Sequence, residues 1–247
     1  VSPDWIEPDW PAPVRVRALA TTRHGGVSVG PYASMNLGTH VGDSPQAVAQ
    51  NRAVLRACLP AEPLWLDQVH GINVADASAA GDGGGVIRAD AAVATRPGAV
   101  CVVMTADCLP VLFCDDAGTV VAAAHAGWRG LAAGVLDATV VRMGVVPERI
   151  LAWLGPAIGP RAFEVGDDVR QVFVTADPVA ARAFMPGDKP GKWFADLFLL
   201  ARLRLRSAGV ERVFGGDVCT YADPLRYFSY RRDGVTGRLA SLVWLSA

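Results

Sequence analysis

The sequence predicts an α+β fold with mixed sheets, on three observations. Strand-like and helix-like segments alternate irregularly along the 247 residues, hairpin signals recur, and no internal repeat or long linker divides the chain. A doubly wound parallel sheet would show a more regular strand–helix alternation. The length suits one domain, residues 1–247, with ample material for a core.

The elements follow in order. Val14–Ala20 alternates valine with arginine and reads as a strand with one wet face. TTRHGGVSVGPYASMNLGTHVGD then gives 23 residues rich in glycine, serine and threonine, and so long a loop in a compact domain is usually functional. Ser44 before Pro45 starts a helix, with Ala47, Val48, Val54, Leu55 and Cys58 at a roughly helical period. Leu64–Val74 and Val100–Thr105 read as strands. Val111–Cys114 and Thr119–Ala124 form a hairpin closed by the turn DDAG. A helix opens after Gly127, with Leu131, Val135, Leu136 and Thr139 on one side. Ile150–Leu154 is a buried strand, and Asp167–Val174 and Asp196–Ser207 are helices, the second stopped by Gly209. A strand about Tyr227–Arg231, a turn at Asp233-Gly234 and a last strand in RLASLVWL complete the chain.

Composition excludes several function classes. A formal charge of −1 and a pI near 6.5 exert no general pull on nucleic acid or an anionic membrane. No apolar run reaches the roughly 18–20 residues of a membrane span. The opening VSPDWIEPDWPAPVRVRALA mixes acids, prolines and tryptophans, unlike a secretory signal, so the cytoplasm is the expected compartment. Five cysteines, an odd number without a Cys-x-x-Cys pair, argue against a disulfide framework. Cys58, Cys101, Cys114 and Cys219 sit among apolar residues and read as small core side chains. Cys108 differs, because an aspartate and a chain break flank it.

The stretch TADCLPVLFCDDAGTVVAAAHAGWRG therefore holds the main question. If Cys114 pairs with Thr119, Cys108 stands opposite His125 at the open end of the hairpin, where paired Cβ atoms lie about 5 Å apart. That separation suits a shared metal, a thiolate–imidazole pair, or two buried bystanders. WLDQVHG ends another apolar run on His70, a third candidate ligand, and catalytic zinc commonly takes three protein ligands and keeps a fourth position open. Asp107 beside Cys108 reads either as a turn residue or as a support that orients a ligand or water. Arg23 before Gly25-Gly26, the AGWRG helix start with Arg129, and Arg231-Arg232 in YRRDG suggest a polyanion site. Arg23, Asn36, Arg129, Arg231 and Arg232 are the candidate substrate- and phosphate-binding residues.

TTRHGGVSVGPYASMNLGTHVGD, WLDQVHG, TADCLPVLF, AAHAGWRGLAAGV, GPAIGPRAFEVGDDV and CTYADPLRYFSYRRDGVTGRLASLVWL occur in the order seen in the YfiH-like, laccase-domain (FAMIN-related) proteins. The chain resembles that family over nearly its whole length. The resemblance implies a single-domain α/β/β/α layered sandwich related to the cytotoxic-necrotizing-factor catalytic domain. It implies a zinc site of His70, Cys108 and His125, with copper as a substitute metal. It further implies phosphorolysis of adenosine, inosine and methylthioadenosine with inorganic phosphate as co-substrate, and adenosine deamination. Small purine nucleosides would then be the partners of a monomer, without nucleic acid or membrane. Tyr227 and Leu239 depart from the Phe and Met of many relatives.

The residues weigh against two other enzymes and leave one rival. Four histidines without a His-x-His pair cannot furnish both a blue-copper site and a trinuclear copper cluster, which leaves of that activity only a weak copper-dependent polyphenol oxidation at the zinc site. The cytidine-deaminase signature, His-x-Glu with Pro-Cys-x-x-Cys, is absent. The rival is a cysteine hydrolase, an amidase on peptidoglycan precursors with Cys108 as nucleophile and His125 as base. A non-catalytic nucleoside-binding protein is the third alternative.

Overall fold

The computed structural model describes residues 4–79 and 87–247. Along the first half run β1 (Val16–Ala20), α1 (Pro45–Arg56), β2 (Leu66–Asp67), β3 (Val74–Asp76), β4 (Ile87–Arg88) and β5 (Ala91–Ala94). The central run is β6 (Val100–Thr105), β7 (Leu109–Asp115), β8 (Val121–Ala126), α2 (Trp128–Ala133), α3 (Val135–Met143) and β9 (Ile150–Leu154). β10 (Glu164–Gly166), α4 (Asp167–Ala176), β11 (Phe184–Pro186), β12 (Lys192–Ala195) and α5 (Leu197–Ser207) follow. β13 (Arg212–Gly215), α6 (Tyr230–Asp233) and β14 (Leu239–Leu245) close the chain.

Two sheets stack face to face. The larger has the order β13-β9-β7-β8-β5-β3, with parallel pairs at both edges and antiparallel pairs between, so it is mixed as expected. The smaller is the antiparallel β1-β14-β6. Leu109, Val111 and Phe113 of β7 face one way, onto Leu131, Val135, Leu136 and Val140 of α2 and α3. Leu112 and Cys114 face the other way, onto Cys101, Val103 and Val243 of the smaller sheet. The far side of that sheet, with Val102, Leu242 and Trp244, is covered by Leu55 of α1 together with Met35 and Leu37. The layers are thus α/β/β/α. Strands covered on both faces have no wet side to alternate with, which is why β6, β7 and β8 read as unbroken apolar runs.

Several elements follow the sequence closely. Pro45 stands at the first turn of α1 and the Ser44 side chain accepts from Ala47 N. Asp196 caps α5 by accepting from Leu199 N. Gly134, left-handed at φ 103°, divides the helix expected after Gly127 into α2 and α3.

Others differ. In the hairpin Cys114 pairs with Val121, and Pro110 rather than Cys108 stands opposite His125. The Asp115 carboxylate sets this longer turn by accepting from Thr119 N, Thr119 Oγ1 and Val120 N. A two-residue shift keeps every side chain on its face, so Cys108 and His125 still point into the same region. Leu64–Val74 is not one strand but the short β2, a turn at His70, and β3. Tyr227–Ser229 enters no ladder, and Tyr230–Asp233 is a helical turn capped by Ser229. Burial of Tyr227 and Phe228 explains why that segment reads as a strand. Cys101 and Cys114 are core residues, whereas Cys58 is exposed beyond α1 and Cys219 is half-buried.

The loop at residues 21–43 is held internally. Buried Asn51 of α1 donates to Ser28 Oγ, Ser34 O and Asn36 O, and accepts from Val27 N. One amide side chain thereby fixes four points of a loop that has no ladder of its own.

Candidate metal centre and its cavity

His70, Cys108 and His125 converge just past β2, just before β7 and at the end of β8. Their ligand atoms lie within 4.8 Å of one another. Cys108 Sγ is 3.7 Å from His70 Nε2, and the two imidazoles meet edge to face with centroids 4.7 Å apart. Gly127, just past β8, makes the approach sterically feasible. A Cβ there would lie 2.8 Å from both Cys108 Sγ and His70 Cδ2.

Asp90, wholly buried before β5, accepts from the amides of Val69 (3.2 Å), His70 (2.8 Å) and Gly71 (2.6 Å). It also takes a hydrogen bond from His125 Nδ1 at 2.9 Å. His70 itself is left-handed at φ 61°, a conformation uncommon for a residue with a Cβ.

The donor set fits a zinc-like ion. Bond lengths of about 2.3 Å to sulfur and about 2.0 Å to nitrogen at a tetrahedral angle place S and N about 3.5 Å apart, close to what Cys108 and His70 show. Without an ion the trio is a charged pair. Burial opposes ionisation of Cys108, but the charge and hydrogen bonds of His125 and His70 hold its pKa down to about 6. Burial likewise opposes protonation of His125, yet the Cys108 thiolate and Asp90 raise it to about 9. Burial would raise Asp90, and the His125 and Gly71 hydrogen bonds outweigh it, so that carboxylate titrates below its ordinary range.

These three residues form one end of a cavity of about 500 Å³. Trp128, Ile158, Phe163 and Met104 give it apolar walls, and Arg129, Arg231, Arg238, His40 and Tyr230 give it polar ones. Among the described residues, none of the three arginines has an acidic partner within salt-bridge distance. Arg129 lies over Trp128 and Arg231 over Phe163. Arg238 is half-buried, and burial lowers its pKa although Cys108 and Asp107 oppose the shift.

A sequence profile described as multi-copper polyphenol oxidoreductase laccase matches residues 17–246. The Pseudomonas aeruginosa purine nucleoside phosphorylase PA4543 is 58% identical over 98% of both chains. The Escherichia coli purine nucleoside phosphorylase YfiH is 57% identical over 97% of this chain and 98% of its own. This chain belongs to the YfiH-type family. The Neisseria meningitidis protein NMB0706 superposes with a TM-score of 0.94 at 54% identity, covering 99% of this chain and all of that one. YlmD from Geobacillus stearothermophilus gives 0.90 at 32% identity over 100% and 98% of the two chains.

In this YfiH-type chain the expected site residues divide. His70, Cys108 and His125 come together, and Arg129 and Arg231 line the same cavity. Asp107 borders it, left-handed at φ 89°, with its carboxylate accepting from Thr220 Oγ1, Ser229 Oγ and Arg231 N. Arg23 donates to Ala33 O and Pro224 O, Arg232 to Thr220 O, Tyr221 O and Tyr227 O, and Asn36 to Gly38 O and Asp43. None of those three lines the cavity. Asp90, Arg238 and Gln68 went unnoticed in the sequence. Asp90 carried one signal, an acid at the border of the apolar run AAVA, which is where His70 and His125 also sit relative to their strands. No helix among the described residues is long and apolar enough to cross a membrane.

Proposed function

We propose that this YfiH-type protein is a purine nucleoside phosphorylase of the cytoplasm that acts as a monomer on adenosine, inosine and methylthioadenosine. Zinc held by His70, Cys108 and His125 is the assigned cofactor, with copper as a substitute. The observation that carries the reading is the cavity itself, which combines the convergent ligand trio with three arginines that have no acidic partner among the described residues.

Phosphorolysis forms a bond from a phosphate oxygen to C1′ of the ribosyl group and breaks the C1′–N9 bond. The purine then takes up a proton. Arg129, Arg231 and Arg238 supply the positive charge that holds phosphate and steadies the charge developing on the departing base. Trp128, Phe163 and Tyr230 offer flat surfaces for the purine. The Asp107 carboxylate holds the start of α6 through Arg231 N and so positions Arg231. Arg23, Asn36 and Arg232 build the loops behind these residues. Zinc held by His70, Cys108 and His125 would supply Lewis-acid character and acidify water, the chemistry that adenosine deamination needs.

The test is conversion of inosine to hypoxanthine by the purified, zinc-replete chain, with and without phosphate. Release that depends on phosphate is the expected result, whereas no release of base in its presence would defeat the reading. A second reading is favoured by one observation. Asp90, His125 and Cys108 also form an orienting carboxylate, a base and a thiol in line, as a cysteine hydrolase requires. Hydrolysis of a muramyl-peptide amide by zinc-free protein, without nucleoside cleavage, would establish that reading instead.

A further inference from the structure

We propose that Asp90 is the positioning residue of the metal centre, a single buried carboxylate that sets both histidines, His125 through its ring and His70 through its backbone. The inference rests on the reading that His70, Cys108 and His125 hold a metal ion.

Asp90 is 0% exposed, and among the described residues no lysine or arginine pairs with it. Among the described residues its side-chain partners are three backbone amides and the His125 ring. Oδ1 takes His70 N and His125 Nδ1, while Oδ2 takes Val69 N and Gly71 N. Three consecutive amides turned onto one carboxylate need a tight, partly left-handed chain, and His70 at φ 61° is the residue that supplies it. The turn in turn aims the His70 ring at Cys108. On the other side, a carboxylate can only accept from His125 Nδ1, so that nitrogen carries a proton and Nε2 is the nitrogen left to a metal, which would displace any proton there. The main chain reinforces the arrangement, since Asp90 O accepts from His125 N at 2.7 Å.

The cysteine takes no part in this. Cys108 stands just before β7, and its Sγ lies 3.7 Å from His70 Nε2. Asp90 thus anchors both imidazole ligands, His125 by its ring and His70 by its main chain.

Asp90→Asn keeps the size and one acceptor oxygen but puts an NH₂ group opposite a donor. Either the Val69 and Gly71 amides or the His125 Nδ1–H then face another N–H. In the full chain, stripped and reloaded, zinc affinity measured by chelator competition is expected to fall about 10–100-fold. Asp67→Asn, at an exposed carboxylate paired with Arg88, should stay within about twofold of the parent. Near-UV circular dichroism of the metal-free proteins reports the fold. Nitrogen-15 NMR of the parent's histidines, with and without zinc, supplies a reading that needs no variant. His125 should show a proton on Nδ1 in both forms and metal on Nε2. Zinc bound by Asp90→Asn as tightly as by the parent, or a His125 whose Nδ1 lacks the proton, would overturn the proposal. A parent that binds no zinc would instead defeat the metal reading on which it stands.

Discussion

At the closed end of the cavity His125 is 3% exposed and its ring nitrogen is tied to Asp90, while the turn bearing the exposed His70 hangs on the same carboxylate. At the open end Arg129, Tyr230 and Arg231 stand in solvent, resting on aromatic rings and on single hydrogen bonds. One end is thus arranged before any ligand arrives, and the other has charge to offer but few fixed contacts. Damage to the first should remove chemistry altogether. Damage to the second should weaken grip on the anion and leave the turnover machinery standing.

The largest effect is expected from Cys108→Ala. Zinc content should fall to background and inosine phosphorolysis by more than the roughly 10–100-fold that losing a supporting partner costs. Elemental analysis and product chromatography on one preparation check both. Normal zinc content in this variant would remove Cys108 from the ligand set.

The closed end can also be probed by pH without any mutation. In metal-free protein the His125 charge holds the Cys108 pKa at about 6, so the thiolate dominates above that pH and is lost as pH falls through it. At pH 7 its alkylation should therefore run about 30-fold ahead of a thiol of ordinary pKa near 8.5 in thiolate fraction alone. Added zinc should suppress the reaction. An inflection near 8.5 would mean that the Cys108–His125 pair is not formed.

Gly127→Ala separates space from conformation. Gly127 has φ −61°, which any residue can adopt, so the sole obstacle is its Cβ at 2.8 Å from Cys108 Sγ and His70 Cδ2. Both neighbours belong to the proposed ligand set, and about a 10-fold loss of zinc affinity follows if they must separate. Chelator competition measures it, and parent-like affinity would show that the ligands have slack.

What was legible in the sequence follows the same division. Strands and helices with continuous apolar faces, such as β7, β8 and α5, could be read because burial itself writes their pattern. His70, Cys108 and His125 stood out as polar letters terminating such runs. The two-residue error in the hairpin arose because Asp115, which reshapes the turn through its side chain, looks like any turn aspartate. Asp90 was hidden for a related reason. Its partners are backbone amides, which have no letter in a sequence, and an acid beside arginine in IRAD reads as solvated. Arginines posed the reverse difficulty. Arg23 and Arg231 look equally cationic on paper, yet local chain geometry turns one onto carbonyls and the other towards a cavity.

The arginines of the cavity should respond through KM. Arg238→Ala removes a half-buried guanidinium that borders the cavity and whose hydrogen bonds among the described residues go to Thr236 O and Gly237 O, from Nη1. Loss of one charge-assisted hydrogen bond to phosphate corresponds to about a 10-fold rise in phosphate KM, with kcat much less affected. Arg231→Ala should behave similarly. A fall in kcat at unchanged KM would place these groups with the chemistry, against the contrast between the two ends.

The smallest effect on catalysis is expected from Arg23→Ala, and it sharpens the comparison most finely. Arg23 carries the same charge as Arg238 and lies in a glycine-rich loop suited to phosphate. Its Nε and Nη1 donate to Ala33 O and Pro224 O at 2.8 and 2.7 Å, and its guanidinium lies 4.8 Å from the Phe228 ring centroid. Those contacts join the loop at residues 21–43 to the segment before α6, behind the cavity wall. Truncation returns two carbonyls to water and strips packing from Phe228, at a cost of about 1–2 kcal/mol. In thermal denaturation that is a loss of a few degrees in Tm for a chain of this length. Phosphate KM should stay within about twofold, because the guanidinium does not border the cavity. A KM raised as far as in Arg238→Ala, with Tm unchanged, would return Arg23 to the anion site and show that the loop opens when substrate binds.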